Sequence, residues 1–262
     1  MLPNFQHLEL EQDGAWLTVW FNEPEKRNPL TNDRVEALIE LCSALQTAPV
    51  RGVTFRGRGG IFCAGGDLKS FKTVFQGGAT KDDVVALSLR AADLFDAVAA
   101  LPQFTVMAVE GAVMAGGFGL ACIGDMVIAA DGTKFSLSET RIGLTPAQIA
   151  PFVVARLGMP AARRMMLTGA MLDTEAAQAV GLVDQVTDDM DAALTEQRKT
   201  VLAAAPQALA TIKQQLAALP FQTRDAQRQM AADRFAEAML SDEAREGISA
   251  FFDKRKPNWA GG

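Results

Sequence analysis

Two glycine loops carry the clearest chemical signal in this chain. CAGGD at residues 63–67 and MAGGFG at 114–119 each follow an apolar run and lead into helical composition. Backbone N–H groups at such a junction lack intrahelical partners and sit at the positive end of the aligned peptide dipoles, so they can hold a developing oxyanion. Gly116, Gly117 and Gly119 supply the permissive backbone that this mouth of a helix needs. A phosphate cradle is the competing use, but neither loop is followed by GK[ST]. The dinucleotide fingerprint fails as well. GFGLAC from Gly117 puts Cys122 where the third glycine or alanine belongs, and GRGGIF from Gly57 puts Phe62 there.

The groups able to move protons are few. His7 is the single histidine and there is no tyrosine. A Ser-His-Asp or Cys-His nucleophile system and a His-rich zinc site are therefore not expected. Acid or base chemistry must come mostly from Asp, Glu, Lys or Cys. Cys42, Cys63 and Cys122 form no CxxC pair and have apolar neighbours, which reads as buried thiols in a reducing compartment.

The elements that would position the loops can be read from periodicity. Residues 7–22 form a hairpin about Asp13-Gly14, and EPEKRNPL follows as a charged loop. Thr31 caps a helix with Val35, Leu38, Ile39, Cys42 and Leu45 on one face. A short strand at 52–55 leads to the first glycine loop, where Asp67 is placed to cap the helix beginning DLKSF. Residues 82–100 are an amphipathic helix with Leu87, Leu94, Phe95 and Val98 inward, ended by Pro102. Strands are expected at 105–109, before the second loop, and at 126–130 after it. Helices follow at 146–158, 160–169 and 174–180, then a strand LVDQV, then helix from Met190 to near Pro257. The recurring order of strand, strand, helix implies a wound α/β core with a helical tail. In that tail Met230, Phe235, Met239, Ile248, Phe251 and Phe252 form more apolar surface than a helix pair at a domain edge usually hides, so a subunit interface is expected.

Length and charge narrow the class. A chain of 262 residues, 49% hydrophobic, can bury a full core as one large domain, with or without a smaller appendage. The longest apolar region, near residues 106–128, is broken by Glu110 and Asp125, so no membrane helix is expected. The opening MLPNFQHLEL lacks a basic segment followed by an apolar one, and a cytoplasmic protein is the expectation. A net charge of -6 without a long Lys/Arg run argues against nucleic acid.

FCAGGDLK, EGAVMAGGFGLACIGDMVIAA, FSLSETRIGLTP and AVGLVDQV, in this order and spacing, resemble the crotonase (enoyl-CoA hydratase/isomerase) superfamily, over essentially the whole chain. The C-terminal FFDKRKPNW adds a further match. Within it, GGFGLAC, SETRIGLTPAQIAPFVVARLG and KRKPNWA look most like the isohexenylglutaconyl-CoA hydratases, with methylglutaconyl-CoA hydratases next. The resemblance implies an α/β fold: a crotonase-like ββα spiral core with the acyl-CoA site over residues 1–200, and a C-terminal helical trimerisation region over 201–262. It implies trimers or dimers of trimers, no metal, and no cofactor apart from the coenzyme A of the substrate.

Carried over residue by residue, it assigns the oxyanion donors to the backbone N–H groups of Ala64 and Gly116, and the catalytic carboxylate to Glu139. Many hydratases have a second glutamate, whose place here is Gly119. Glu139 beside an apolar wall would be desolvated, with a raised pKa. Around the substrate the resemblance places Gly65, Gly66, Asp67, Gly117 and Gly119. For the coenzyme A it implicates Arg27, Asn28, Lys69, and Phe251 with Lys254 from a neighbouring subunit. Gln148 and Arg141 are candidates for polar contacts to a carboxylate-bearing or branched acyl tail. Hydration of a 2-enoyl-CoA, of branched glutaconyl type in the closest resemblance, is the leading expectation. Single-base isomerisation of an enoyl-CoA is the runner-up, and a nonenzymatic CoA-ester-binding relative the rival from another class. A peptidase on the same spiral fold lacks its histidine, and an RNA-binding side role lacks a basic face at a pI of about 5.0.

Overall fold

The computed structural model describes residues 5–67, 72 and 74–260. Strands β1 (Leu8–Asp13) and β2 (Trp16–Phe21) form the expected antiparallel hairpin, and β2 pairs in parallel with β3 (Gly52–Gly57). The sheet continues in parallel through β4 (Phe104–Val109), β6 (Met126–Ala130) and β9 (Gln185–Thr187). A second, three-stranded sheet has β7 (Lys134–Ser136) between β5 (Ala112–Met114) and β8 (Met171–Leu172). The second sheet is absent from the expectations above, because strands of two or three residues carry no alternation to read.

Helix α1 (Asn32–Leu45) begins where Thr31 accepts a hydrogen bond from the Arg34 N–H, and α2 (Lys81–Ala99) begins with a capping box between Thr80 and Asp83. Helix α3 (Gly116–Ile123) follows β5 directly, so the second glycine cluster is the first turn of the helix rather than a loop ahead of it. Helix α4 (Ala150–Thr168) begins four residues later than expected, and residues 146–149 form a loop and turn. Two helical segments join within α4 at Gly158, where φ is 70° and ψ is 159° just ahead of Pro160. Helix α5 (Thr174–Ala179) is capped by Asp173. The strand read at LVDQV starts three residues later, since Leu182 and Val183 are buried in the turn that precedes it.

The main core lies between the large sheet and helices α1 to α5, with Phe21, Phe55, Phe62, Phe118 and Phe135 at its centre. A smaller cluster on the other sheet face packs Trp16, Val106, Ala108 and Ile128 against α6 (Met190–Ala203). Helices α7 (Pro206–Ala218), α8 (Arg224–Met239) and α9 (Asp242–Phe252) complete the chain. Among the described residues after Val201, Ala250 alone is buried, while Phe235, Leu240, Phe251 and Phe252 are exposed. Arg51 ties this tail to the core through the carbonyls of Ala204 and Trp259. No helix of the described residues is long and apolar enough to cross a membrane.

Candidate active site

The two glycine loops lie against one another. The Cys63 N–H donates to the Ala112 carbonyl at 3.1 Å, and the Met114 N–H donates to the Cys63 carbonyl at 3.0 Å, a short parallel bridge that sets their register. Close approach depends on missing side chains. A Cβ on Gly65 would stand 2.9 Å from Ala115 Cβ, and one on Gly117 would stand 2.7 Å from both Cβ and the carbonyl oxygen of Cys63. These two glycines are therefore packing positions between the loops and do not line the cavity described below.

Ala115, the residue ahead of α3, has φ 49° and ψ −118°, a conformation that an alanine occupies only when its surroundings impose it. Its N–H donates to the Ser136 carbonyl of β7 at 3.0 Å, and its carbonyl accepts from the Gly119 N–H at 3.1 Å. The peptide between Ala115 and Gly116 is thereby fixed, with the Gly116 N–H at the start of the helix.

On the first loop the donor differs from the one inferred above. The Ala64 N–H is occupied by the Arg27 carbonyl at 3.0 Å. The Leu30 N–H donates to the Gly65 carbonyl at 2.8 Å and the Asp67 N–H to the Leu30 carbonyl at 3.4 Å, a bridge that leaves the intervening Gly66 N–H outside the pairing. Among the described residues no acceptor is bonded to the Gly66 or Gly116 N–H, and both glycines line one cavity of about 720 Å³. Gly66 thus replaces Ala64 as the available donor. Only a neighbour's carbonyl, invisible in the motif, distinguishes the two.

Glu139 lines the same cavity, at the start of a single helical turn, Glu139–Ile142, whose carbonyls accept from Gly143 and Leu144. Its Oε2 is buried without a hydrogen-bond partner. Desolvation pushes its carboxyl above the usual range, and a hydrogen bond from its own backbone pulls weakly the other way. Such a group holds and releases a proton closer to neutral pH than a solvated glutamate does.

The position of the absent second carboxylate is filled. A Cβ on Gly119 would lie 2.3 Å from Cγ2 of Ile149 and 3.4 Å from Cε1 of Phe95. Gly119 is therefore buried under an apolar wall and takes no part in lining the cavity. That wall continues through Leu30, Val35, Leu87, Leu94 and Leu144.

The remaining candidates divide. Asn28 is fully buried: its Oδ1 accepts from the Glu23 N–H at 2.8 Å, and its Nδ2 donates to the carbonyls of Arg58 at 3.0 Å and Ile61 at 2.6 Å. It clamps the loop before α1 to the loop after β3, and its side chain is not open to a ligand. Arg27 is exposed with a left-handed backbone, φ 64°. Arg141 is exposed, leans toward the Thr168 carbonyl and does not line the cavity, whereas Gln148 does, donating to the Ser88 hydroxyl of α2 at 2.9 Å. Lys69 and the helix that Asp67 was expected to cap lie outside the described residues. Phe251 and Lys254 are exposed and are not part of the cavity within this chain. Glu36 and Arg90 do line it, and neither belongs to any motif. Burial raises the Cys42 thiol to about 12 and the Cys63 thiol to about 11, as expected of structural cysteines. The described residues contain no cluster of His, Cys, Asp and Glu able to hold a metal.

Comparison with known proteins agrees with this architecture. The solved structure of Pseudomonas aeruginosa AtuE superposes with a TM-score of 0.94 at 39% identity, over 97% of this chain and all of that one. The enoyl-CoA hydratase AKT6-1 of Alternaria alternata is 31% identical over 95% of this chain and 82% of its own. The 1,2-epoxyphenylacetyl-CoA isomerase of Escherichia coli is 32% identical over 94% of this chain and 95% of its own. The family model described as enoyl-CoA hydratase/isomerase matches residues 11–262. With its α/β crotonase fold and helical C-terminal region, this chain belongs to the enoyl-CoA hydratase/isomerase family.

Proposed function

We propose that the chain is an enoyl-CoA hydratase in which Glu139 alone transfers protons and the N–H groups of Gly66 and Gly116 hold the thioester oxygen. The observation that carries this reading is the half-buried Glu139, its Oε2 enclosed and unpartnered, on the same cavity as two backbone donors with no acceptor among the described residues. Ionised Glu139 takes a proton from water as the water oxygen attacks C3 of a 2-enoyl thioester. The electron pair of the double bond moves toward the carbonyl, and charge gathers on the thioester oxygen as an enolate. Fixed donors stabilise that charge; the loss of one such donor typically costs about 3 kcal/mol. The protonated Glu139 then returns its proton to C2 on the same face, and the hydroxyl stays on C3.

Double-bond migration is the second reading, and the apolar wall of Ile149 and Phe95 over Gly119 favours it, because no second carboxylate holds the water. Here Glu139 removes a proton from one carbon of the enoyl chain and returns it two carbons away. The names borne by relatives include both an enoyl-CoA hydratase and a 1,2-epoxyphenylacetyl-CoA isomerase. Mass spectrometry of 2- and 3-enoyl-CoA esters incubated in heavy-oxygen water separates them. Incorporated label with a mass gain of water supports the hydratase; migration without that gain supports the isomerase; no change in any ester favours a CoA-ester-binding protein.

The exposed Arg27 suits the phosphates of coenzyme A. Phe251 and Lys254 would complete that site from a second copy in a trimer or dimer of trimers, a use that also covers the exposed aromatic side chains of the tail. A glutaconyl-type tail, as in the subfamily resemblance, would require a cation within reach of its carboxylate, and Arg90 is the one cation lining the cavity among the described residues.

A further inference from the structure

We infer, on the proposed use of the Gly66 N–H as an oxyanion donor, that Arg34 is a positioning residue for the reaction: its buried guanidinium heads a chain of two peptide groups that aims and polarises that N–H.

The chain can be followed bond by bond. Arg34 Nη1 donates to the Pro29 carbonyl. The same peptide group ends in the Leu30 N–H, which donates to the Gly65 carbonyl at 2.8 Å. That carbonyl belongs in turn to the peptide whose N–H is that of Gly66, the group left outside the pairing, and Gly66 lines the cavity. Neither peptide is cis, and in a planar trans peptide the C=O and N–H point to opposite sides. Holding the Gly65 carbonyl against Leu30 therefore turns the Gly66 N–H the other way.

A positive charge at the head of such a chain acts in one direction. Each carbonyl that accepts a hydrogen bond makes its own peptide N–H a stronger donor, by about 10–30% per bond, and burial keeps water from screening the effect. Arg34 is fully buried, and Pro29 and Gly65 are buried beside it. Its Nη2 donates to Glu23 Oε2 at 2.9 Å, while the other Glu23 oxygen takes Lys26 Nζ at 2.6 Å, so the one carboxylate is divided between two cations. The second donor is fed differently. The carbonyl of the Ala115–Gly116 peptide accepts from the Gly119 N–H of α3 at 3.1 Å, a backbone group rather than a charged side chain. Arg34 thus acts on one donor of the pair and leaves the other alone.

The test reads the thioester carbonyl itself. Butyryl-CoA carrying heavy carbon at that carbonyl, a saturated ester that neither hydrates nor isomerises, is bound to wild type, Arg34→Met and Glu23→Gln. Isotope-edited infrared spectra are recorded well below each melting temperature. In wild type the carbonyl band should fall below that of the free ester. Arg34→Met should lose between about a tenth and a half of that displacement, the lower figure for lost polarisation alone and the upper for a donor turned away. In the same variant kcat should fall about tenfold, part of what a lost donor costs, with ester affinity within about threefold. Glu23→Gln removes the counter-charge and keeps the guanidinium on Pro29, so its band should be displaced at least as far as in wild type. An unchanged band in Arg34→Met overturns the inference. Equal losses in the two variants also overturn it, because a clamp that only holds the fold would suffer from either change. If Arg34→Met does not fold, the Glu23→Gln/Arg34→Met double variant, which strands no carboxylate, carries the same comparison. Turnover of 2-butenoyl-CoA in the same preparations reports separately on hydration. An Arg34-dependent band without turnover would sink the hydratase reading and leave the assignment of Arg34 standing, whereas an undisplaced band in wild type would remove the two donors and the role of Arg34 with them.

Discussion

The filled space over Gly119 can be tested as an energetic coupling. Gly119→Ala by itself should gain about 1 kcal/mol from helix propensity. Its new Cβ, however, would sit 2.3 Å from Cγ2 and 2.8 Å from Cβ of Ile149, a buried β-branched side chain that is stiff at χ1. Overpacking of this kind costs about 1–3 kcal/mol, so the net effect is a loss of about 1 kcal/mol or more. Ile149→Ala leaves a void and should cost about 2–5 kcal/mol. In the double variant the added methyl group enters the space that Ile149 has vacated, removing the worst contact and keeping the helix gain. A favourable coupling of about 1–3 kcal/mol follows, against the near-additivity of independent sites. Urea unfolding of wild type, both single variants and the double variant at one protomer concentration measures it, since association would otherwise shift the midpoints. Additivity within about 0.5 kcal/mol would refute the argument that Ile149 occupies the place of a second carboxylate.

Four further outcomes are expected. Glu139→Gln should lower kcat by about 10²- to 10⁴-fold with CoA-ester affinity largely kept; steady-state kinetics showing near-normal turnover would remove Glu139 from the mechanism. The same variant should change stability in a pH-dependent way. Because burial raises the Glu139 carboxyl in the folded state, its neutral form favours folding; that contribution is complete below about 4.5 and is lost as pH rises through the raised value. Glu139→Gln should therefore melt higher than wild type at neutral pH and match it in acid, and a lower melting temperature at pH 7.5 would contradict the desolvation argument. Asn28→Ala, which strands a buried N–H and two part-buried carbonyls, should destabilise by about 2–3 kcal/mol in denaturant unfolding, and a neutral effect would show that water replaces the clamp. Phe235→Ser combined with Phe252→Ser should reduce the molecular mass in analytical ultracentrifugation, and an unchanged assembly would take these exposed rings out of the interface.

How far the site could be read from sequence depended on whether the relevant physics was local. The hairpin, the Thr31 cap and the buried strands β3, β4 and β6 follow from periodicity and capping chemistry that operate within a few residues. The short strands β5, β7 and β8 exist only because neighbouring backbone is in place, and no side-chain pattern announces them. At the first glycine loop the resemblance assigned the donor to Ala64. The choice of Gly66 over Ala64 was made by the Arg27 carbonyl, 37 residues earlier in the chain and brought close by the Asn28 clamp. Asn28 shows the same limit from the other side: the resemblance implicated it in coenzyme A binding, but its side-chain polar atoms face backbone from its own loop and the next. The Glu36–Arg90 pair was not legible at all, because it joins two helices whose relative placement is a tertiary fact. Motif residues thus mark the candidate site, while partners far away in sequence decide which N–H is free.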